Sequence, residues 1–288
     1  MPLFWSDGAL FETAVHPYDL TDRGLLLGDG LFDTALVLRG KVHREMAHRM
    51  RLLEGLSEIG IAMAPEIIIE AFSVLAHASR TKGIERAALR VMITRGPGPR
   101  GLGLPPTPLP HLLASLAPLA NNPSAPLTLH VSKIRRNETS PLSRLKTLSS
   151  LDAVLAHREA LNAGCDEALC LNTAGRIACA ASGNLFAVFG RKILTPKLGE
   201  GLLPGCIRAL LLAEGASLGY EMIETELECE HLLAAEAVFM TNSLRLLAPV
   251  SRIDDVSFVS ASHAAFAALR DFVWRHAENE CGVANHDV

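Results

Sequence analysis

Hydrophobic positions along the chain recur in two rhythms, and the change from one to the other marks out the elements. ALVLRGKVH (35–43) reads as two short apolar strands folded back at Arg39-Gly40, a hairpin signal. From Arg44 to Gly60 the residues Met46, Met50, Leu53 and Leu56 recur at helical spacing, which predicts a helix that Gly60 ends. PEIIIEAFSVLAHAS (65–79) predicts a second helix, opened by Pro65 in its first turn. ERAALRVMITRG (85–96) predicts a buried strand that runs out into a glycine-rich loop. In LAPLANNPSAP (116–126) Asn, Pro and Ser break all periodicity. The domain boundary is expected there, between a small N-terminal α/β domain (1–118) and a larger C-terminal domain (126–288) that carries Lys146.

Past that break the alternation resumes. A helix over 148–163 precedes the strand DEALCLN (166–172), and GRIAC (175–179) and NLFAVF (184–189) follow as strands. GRKILTP (190–196) returns as a hairpin partner, and a helix starts after LLPG (205–217). AEAVFMTN (235–242) and LLAPVSRI (246–253) are strands, and a last helix runs from about 260 to 278. Strands and helices interleave without a strict strand–helix–strand rhythm, which predicts a two-domain α/β (α+β) chain. No internal repeat or low-complexity tract interrupts it.

Composition narrows the function classes. The 288 residues are 49% hydrophobic, enough to bury the core of one large domain or two moderate ones. Charged residues make up 20%, the net charge is −4, and no Lys/Arg run exceeds two residues, so no nucleic-acid footprint is present. The longest apolar runs are too short to span a bilayer. The six cysteines show neither a CxxC pair nor metal-ligand spacing. With an N-terminus unlike a signal peptide, the expectation is a reduced, cytoplasmic protein without a metal. Only Lys41, Lys82, Lys133, Lys146, Lys192 and Lys197 offer an amine among the 27 basic residues.

GPGPRG (96–101) formally matches a dinucleotide-binding glycine pattern, which requires a helix immediately afterwards. LGLPPTPLP follows instead and cannot be helical, so that reading is rejected. Arg95 and Arg100 in this loop are either a grip for a carboxylate or two solvated charges. In LLPGCIRALLL (202–212) the backbone N–H groups of Gly205, Cys206 and Ile207 open a helix, a natural phosphate seat, although many helices begin this way. FMTNSL (239–244) ends a strand in small donors that suit a phosphate or simply leave the strand. His43 and His48 fit no zinc pattern and read as helix-surface residues. No G-x-S-x-G elbow appears, which removes support for hydrolases. Lys146, in SRLKTLSSLDAVLAHREAL (143–161), reads as a charge at a helix start, where the helix dipole disfavours it. It is either solvated or held by Leu142, Leu145 and Leu148 as the free amine a covalent carbonyl adduct needs.

Taken together, DRGLLLGDGLFDT (22–34), HRMRLL (48–53), RLKTLSSLDAVLA (144–156), NLFAVF (184–189), LTPKLGEGLLPGCIR (194–208) and TNSLRLLAPV (241–250) resemble, in order and spacing, the class IV (fold type IV) pyridoxal-phosphate enzymes. These are the branched-chain and D-amino-acid aminotransferases and the aminodeoxychorismate lyases. The resemblance implies the two-domain fold type IV architecture, a homodimer, and pyridoxal 5'-phosphate bound through a Schiff base to Lys146. It implies that Arg51, Gly205, Cys206, Ile207, Asn242 and Ser243 hold the cofactor phosphate, with Ile207 standing where the family has threonine. Phe32 stands near the substrate where several relatives have tyrosine, and Arg100 and Arg245 would receive substrate carboxylates. TRGPGPRG (94–101), LKTLSSLDAVL (145–155) and CDEALCLNTAGRI (165–177) are most similar to the lyases, which eliminate pyruvate to give p-aminobenzoate for folate. The alternative within the family is transamination of D-amino acids, branched-chain amino acids or amines. One departure stands out: Cys179 occupies the position of the glutamate that pairs with the pyridine nitrogen. A neutral thiol supports the protonated ring less well, which also leaves open a cofactor-binding protein with weak turnover.

Overall fold

The computed structural model describes residues 2–120 and 125–282, so the middle of the 116–126 boundary segment lies outside the described residues. The chain divides into two compact units. The first takes in the chain up to residue 120 together with Leu145–Ser149 and the C-terminal stretch from Ala277, and the second takes in the rest.

In the first unit β1 (Leu3–Ser6) and β2 (Ala9–Phe11) form a hairpin, followed by the short helix α1 (Arg23–Leu27) and the long strand β3 (Gly30–Leu38). β4 (Lys41–Val42), helices α2 (Glu45–Glu58) and α3 (Pro65–Thr81), and strands β5 (Arg86–Thr94) and β6 (His111–Pro118) complete it. The strands make one sheet in the order β2-β1-β6-β5-β3-β4. β3 and β5 pair antiparallel from Gly30↔Thr94 to Leu38↔Arg86. Alternation sends Leu31, Ala35, Val37, Leu89, Val91 and Ile93 to the covered face, where they pack with Leu52, Leu56, Phe72 and Leu75 of the two helices. The expected hairpin turns at Arg39 (φ 46°) and Gly40 (φ 80°), the two left-handed residues of the tight turn that matches strand twist.

The face of α2 differs from the one its apolar spacing indicates. Met46 and Met50 are 62% and 47% exposed. The buried stripe is His48, Leu52, Gly55 and Leu56. Polar anchors decide this. His48 and Arg51 both bond to Asp33 of β3, which turns their side of the helix inward. Gly55 permits it, because a Cβ there would come within 2.7 Å of Leu31 Cδ1.

The second unit contains β7 (Leu127–Val131), α4 (Leu151–Asn162), β8 (Glu167–Leu171), β9 (Ile177–Ala180), β10 (Asn184–Phe189) and β11 (Lys192–Pro196). There follow α5 (Cys206–Glu214), β12 (Glu221–Thr225), α6 (Cys229–Leu233), β13 (Ala237–Asn242), β14 (Leu246–Ile253), β15 (Val256–Ser257) and α7 (Ala264–Cys281). Its mixed sheet runs β12-β11-β10-β13-β14-β7-β8-β9, with β15 on β14. Strands β8, β9, β10 and β13 are buried nearly throughout, so their sequences read as continuous apolar runs. Phe186 and Phe239 stack with ring centroids 5.1 Å apart, and Phe266 of α7 tilts against Phe239. No helix among the described residues is long and apolar enough to cross a membrane.

The segment carrying Lys146 is placed differently from the sequence expectation. α4 begins only at Leu151, so Lys146 does not sit at a helix mouth, and the helix dipole does not act on it. Instead the segment lies antiparallel along the start of β3. Phe32 N donates to Lys146 O (2.8 Å), Leu148 N donates to Gly30 O (3.0 Å), and Thr147 bridges to Leu31. These bonds place Leu145–Ser149 in the first unit, where a linear cut at 126 assigns it to the C-terminal domain.

Candidate active site

Each unit carries its own set of candidate groups. In the first, Lys146 is half-buried, and its Nζ lies 4.4 Å from the centroid of the Phe32 ring. Arg90 approaches the same ring, with its Cζ 3.9 Å from the centroid. Two cations therefore contact one aromatic ring, a favourable contact for each. Arg90 Nε is buried without a hydrogen-bond partner. Burial lowers the Arg90 pKa, and no compensating acid is among the causes. Such a group suits an anion brought by a ligand. Sequence reasoning passed over Arg90, although a lone arginine inside the apolar run AALRVMI was the available signal.

Arg51 is held by Asp33 through Nε (2.9 Å) and Nη2 (2.8 Å), and His48 Nδ1 bonds the same carboxylate at 2.7 Å. Burial alone would push the Asp33 carboxyl up, but the charges and hydrogen bonds of Arg51 and His48 bring it below the ordinary range. His43 and His48 are thus buried residues, and the surface reading of both is corrected.

The glycine-rich loop is built around arginine as well, with a different result for each. Arg95 is buried, and it donates to Asp29 Oδ2 (2.8 Å), Gly60 O (2.9 Å) and Ile59 O (2.7 Å). It closes the end of α2 with its donors spent inside the protein, so it is not a solvated charge. Arg100 is exposed. Arg23, buried, bonds Asp29 and the carbonyls of Gly101 (3.2 Å) and Gly103 (2.8 Å), which fixes the loop's path. No helix follows GPGPRG, in line with rejection of the dinucleotide reading.

In the second unit the groups expected at a phosphate gather at one end of neighbouring strands. β10 starts at Asn184, paired with Thr241 one residue before the end of β13. Gly205, the residue capping α5, packs on Asn184, and a Cβ on Gly205 would come within 2.1 Å of Asn184 Oδ1. No side chain caps α5, so its first-turn N–H groups at Cys206 and Ile207 face outward from the helix start. The Ile207 side chain is buried and apolar, so only its N–H can serve an anion. The Thr241 hydroxyl is buried without a hydrogen-bond partner. Asn242 differs from expectation. Its Oδ1 accepts from Leu244 N (3.1 Å) and Arg245 N (2.8 Å), and its Nδ2 reaches Ser182 O at 3.3 Å. The Asn242 side chain therefore shapes the turn that presents Ser243 and Arg245, both half-buried. In the second unit an uncapped helix start, an orphaned hydroxyl and an oriented serine fit a phosphate monoester, and in the first the Lys146 amine beside Phe32 fits an aldehyde.

Cys179 lies in β9 directly opposite Cys170 of β8. Its hydrogen bond to Cys179 and its burial push the Cys170 thiol up. The same hydrogen bond, aided by the charge of Arg136, holds Cys179 below the usual thiol range despite its burial.

The Amino-transferase class IV family pattern matches residues 30–253. The chain is 30% identical over 263 residues to an aminodeoxychorismate lyase of Bacillus subtilis, covering 90% of this chain and 88% of that protein. It is 28% identical over 237 residues to a putative branched-chain-amino-acid aminotransferase of Methanocaldococcus jannaschii, covering 81% of each. The crystal structure of 4-amino-4-deoxychorismate lyase from Pseudomonas aeruginosa superposes with a TM-score of 0.83 at 26% identity, covering 95% of this chain and 98% of that one. With the family pattern spanning most of the sequence, the chain belongs to the class IV aminotransferases, a family of pyridoxal-phosphate-dependent enzymes that act on small amino compounds.

Proposed function

We propose that the protein is an aminodeoxychorismate lyase, releasing pyruvate and p-aminobenzoate with pyridoxal 5'-phosphate. The observation that carries the reading is that the Lys146 amine and the Arg90 guanidinium both lie against the Phe32 ring, which supports a carboxylate-bearing amino substrate. The likeness to a lyase over 90% of the chain favours elimination over transfer.

When bound, the cofactor supplies an electron sink for charge developing at the substrate α-carbon. Lys146 Nζ would hold the cofactor covalently, and its free amine would serve as the general base for the proton on the substrate α-carbon. Phe32 walls off one side of that amine from water. Arg51, fixed by Asp33, would offer its cation to the cofactor phosphate. Within the second unit, Gly205, Cys206 and Ile207 would offer backbone N–H groups to a phosphate, and Ser243 its hydroxyl, with Asn242 holding the turn. Arg90 joins Arg100 and Arg245 as receivers of substrate carboxylates. The reading carries with it a cytoplasmic homodimer. The exposed Leu25, Leu26 and Leu27 on α1 support a partner surface.

A second reading, transamination, draws support from the aminotransferase relative. Both are tested by one set of assays on the cofactor-loaded protein. Aminodeoxychorismate is supplied with detection of pyruvate and p-aminobenzoate, and D-alanine, L-leucine and D-glutamate are supplied in parallel with a keto-acid acceptor. The lyase reading expects equimolar pyruvate and p-aminobenzoate, lost in Lys146→Ala. New amino acids without p-aminobenzoate would instead establish transamination, and cofactor binding without either product would establish weak turnover.

A further inference from the structure

The glycine-rich loop leaves the first sheet at the end of β5 and rejoins it at the start of β6, and one guanidinium holds its middle. We infer that Arg23 is a positioning residue for Arg100: anchored on Asp29, it grips three successive carbonyls of this loop and so fixes where Arg100 presents its charge to a substrate carboxylate. The inference rests on the function proposed above, in which Arg100 receives such a group, and names what sets the place of that contact.

All the groups belong to the first unit. The loop starts and ends at Thr94 and His111, which are partners in the register of β5 and β6. Backbone contacts tie its first turn. Pro97 bridges to Asp22, Gly98 N donates to Thr21 O (3.2 Å), and Arg23 N donates to Gly96 O (3.0 Å). The two ends of the loop also press together, since a Cβ on Gly96 (φ 82°) would come within 1.8 Å of Leu109 O. The middle is held differently. Leu102 and Leu104 are 82% and 63% exposed, so apolar burial does not fix it. Arg23 Nη1 donates to Gly101 O (3.2 Å) and Gly103 O (2.8 Å), and its Nη2 donates to Leu102 O (3.4 Å). Three carbonyl dipoles thus converge on one buried cation, and bonds from a charged donor are stronger than neutral ones. Gly98 lets the chain lie against the arginine stem, because a Cβ there would come within 2.6 Å of Arg23 Cδ.

Asp29 fixes the guanidinium from the other side. Its Oδ2 accepts from Arg23 Nε and from Arg95 Nε, each at 2.8 Å. Burial alone would raise the Asp29 carboxyl, but the two arginines hold it below the ordinary range, so it stays charged at neutral pH. Arg95 links the same carboxylate to the carbonyls of Ile59 and Gly60 at the end of α2. The loop is therefore registered against both the sheet and that helix. Arg100 immediately precedes the gripped carbonyls and is exposed, so the grip sets its backbone and leaves its side chain available. A lysine at position 23 could keep a charge beside Asp29. Its single ammonium lacks the planar fork that serves a carboxylate on one edge and carbonyls on the other.

Trypsin digestion reads the grip, and steady-state kinetics read its consequence. Arg23→Lys, Arg100→Gln and the double variant are compared with the wild type as cofactor-loaded proteins. The Arg100–Gly101 bond should resist brief digestion in the wild type, and peptide mass spectrometry should find it cut early in Arg23→Lys. With aminodeoxychorismate as substrate, KM should rise roughly 10-fold in Arg23→Lys with a much smaller change in kcat, as for one displaced charge-assisted contact. If Arg23 acts through Arg100, the double variant should match Arg100→Gln, because effects on one shared contact do not add. Should Arg23→Lys fail to fold, Gly98→Ala displaces the arginine stem from the loop side and carries the same expectations. Digestion at the wild-type rate, an unchanged KM, or KM effects that multiply in the double variant overturns the inference. The two claims fail separately. A wild type that releases no p-aminobenzoate sinks the proposed activity, whereas an active wild type whose KM ignores Arg23 sinks only the positioning role.

Discussion

Asp33 sits in the middle of β3 with both carboxylate oxygens engaged by Arg51 and one of them also by His48. Removing one partner of a buried pair leaves the other uncompensated, so Asp33→Asn should cost roughly 3–5 kcal/mol at neutral pH. The sign of the pH dependence follows from the depressed carboxyl. A group whose folded pKa is lowered contributes stability above its unfolded value of about 3.9, and that contribution is lost as pH falls through the folded value. Urea unfolding of wild type and Asp33→Asn should therefore differ most near neutrality and converge in acid; a gap that widens on acidification would contradict the assignment. Arg90 belongs to the same scale. Replacing it with Met preserves bulk but removes the charge-assisted hydrogen bonds, each worth about 1.5–3 kcal/mol, so the KM for a carboxylate substrate should rise roughly 10- to 100-fold. These residues show what the sequence hides. The apolar pattern placed HRMRLL on a helix, yet His48 gave no sign of being buried, because its partner Asp33 lies in another element. Arg90 was visible as a charge inside an apolar strand, but its open Nε appears only once the strand is set in the sheet.

The elements that were legible are those whose periodicity is settled by burial alone. The strands β3, β5, β8, β10, β13 and β14, the hairpin at Arg39-Gly40 and the helix opened by Pro65 follow their patterns. Failures arise where a polar bond overrides the pattern. α2 turns His48 inward and Met50 outward, and the Lys146 segment pairs with β3 rather than starting α4. β1, β7 and β12 are short, and each has a partner far along the chain, so local sequence carries little of that pairing. The start of α5 offers a test at this scale. In Gly205→Ala the new methyl collides with Asn184 Oδ1, whose amide is held by Leu203 O at 3.0 Å. The strain should cost about 1–3 kcal/mol and disturb the phosphate seat. Equilibrium binding should show weaker pyridoxal phosphate affinity and little change for pyridoxal, which lacks the phosphate. Equal loss for both would place the phosphate elsewhere.

For the whole molecule, family membership was readable because six stretches recur in order from residue 22 to residue 250, and the family pattern spans 30–253. The division into units was less readable, since Leu145–Ser149 rejoins the first unit by backbone pairing that no linear boundary can express. A ligand that binds only the folded chain stabilises it by mass action, by about 2.7 kcal/mol at a hundredfold excess over its dissociation constant. Pyridoxal phosphate should therefore raise the melting temperature in a concentration-dependent way, and pyridoxal should do so less. Flat melting curves across the titration would speak against a cofactor site. The account as a whole stands on Lys146, and borohydride reduction of the loaded protein followed by peptide mass spectrometry addresses it directly. The expected result is a single pyridoxyl-phosphate adduct on the peptide containing Lys146, absent from Lys146→Arg. An adduct on another of the six lysines, or none at all, would contradict it.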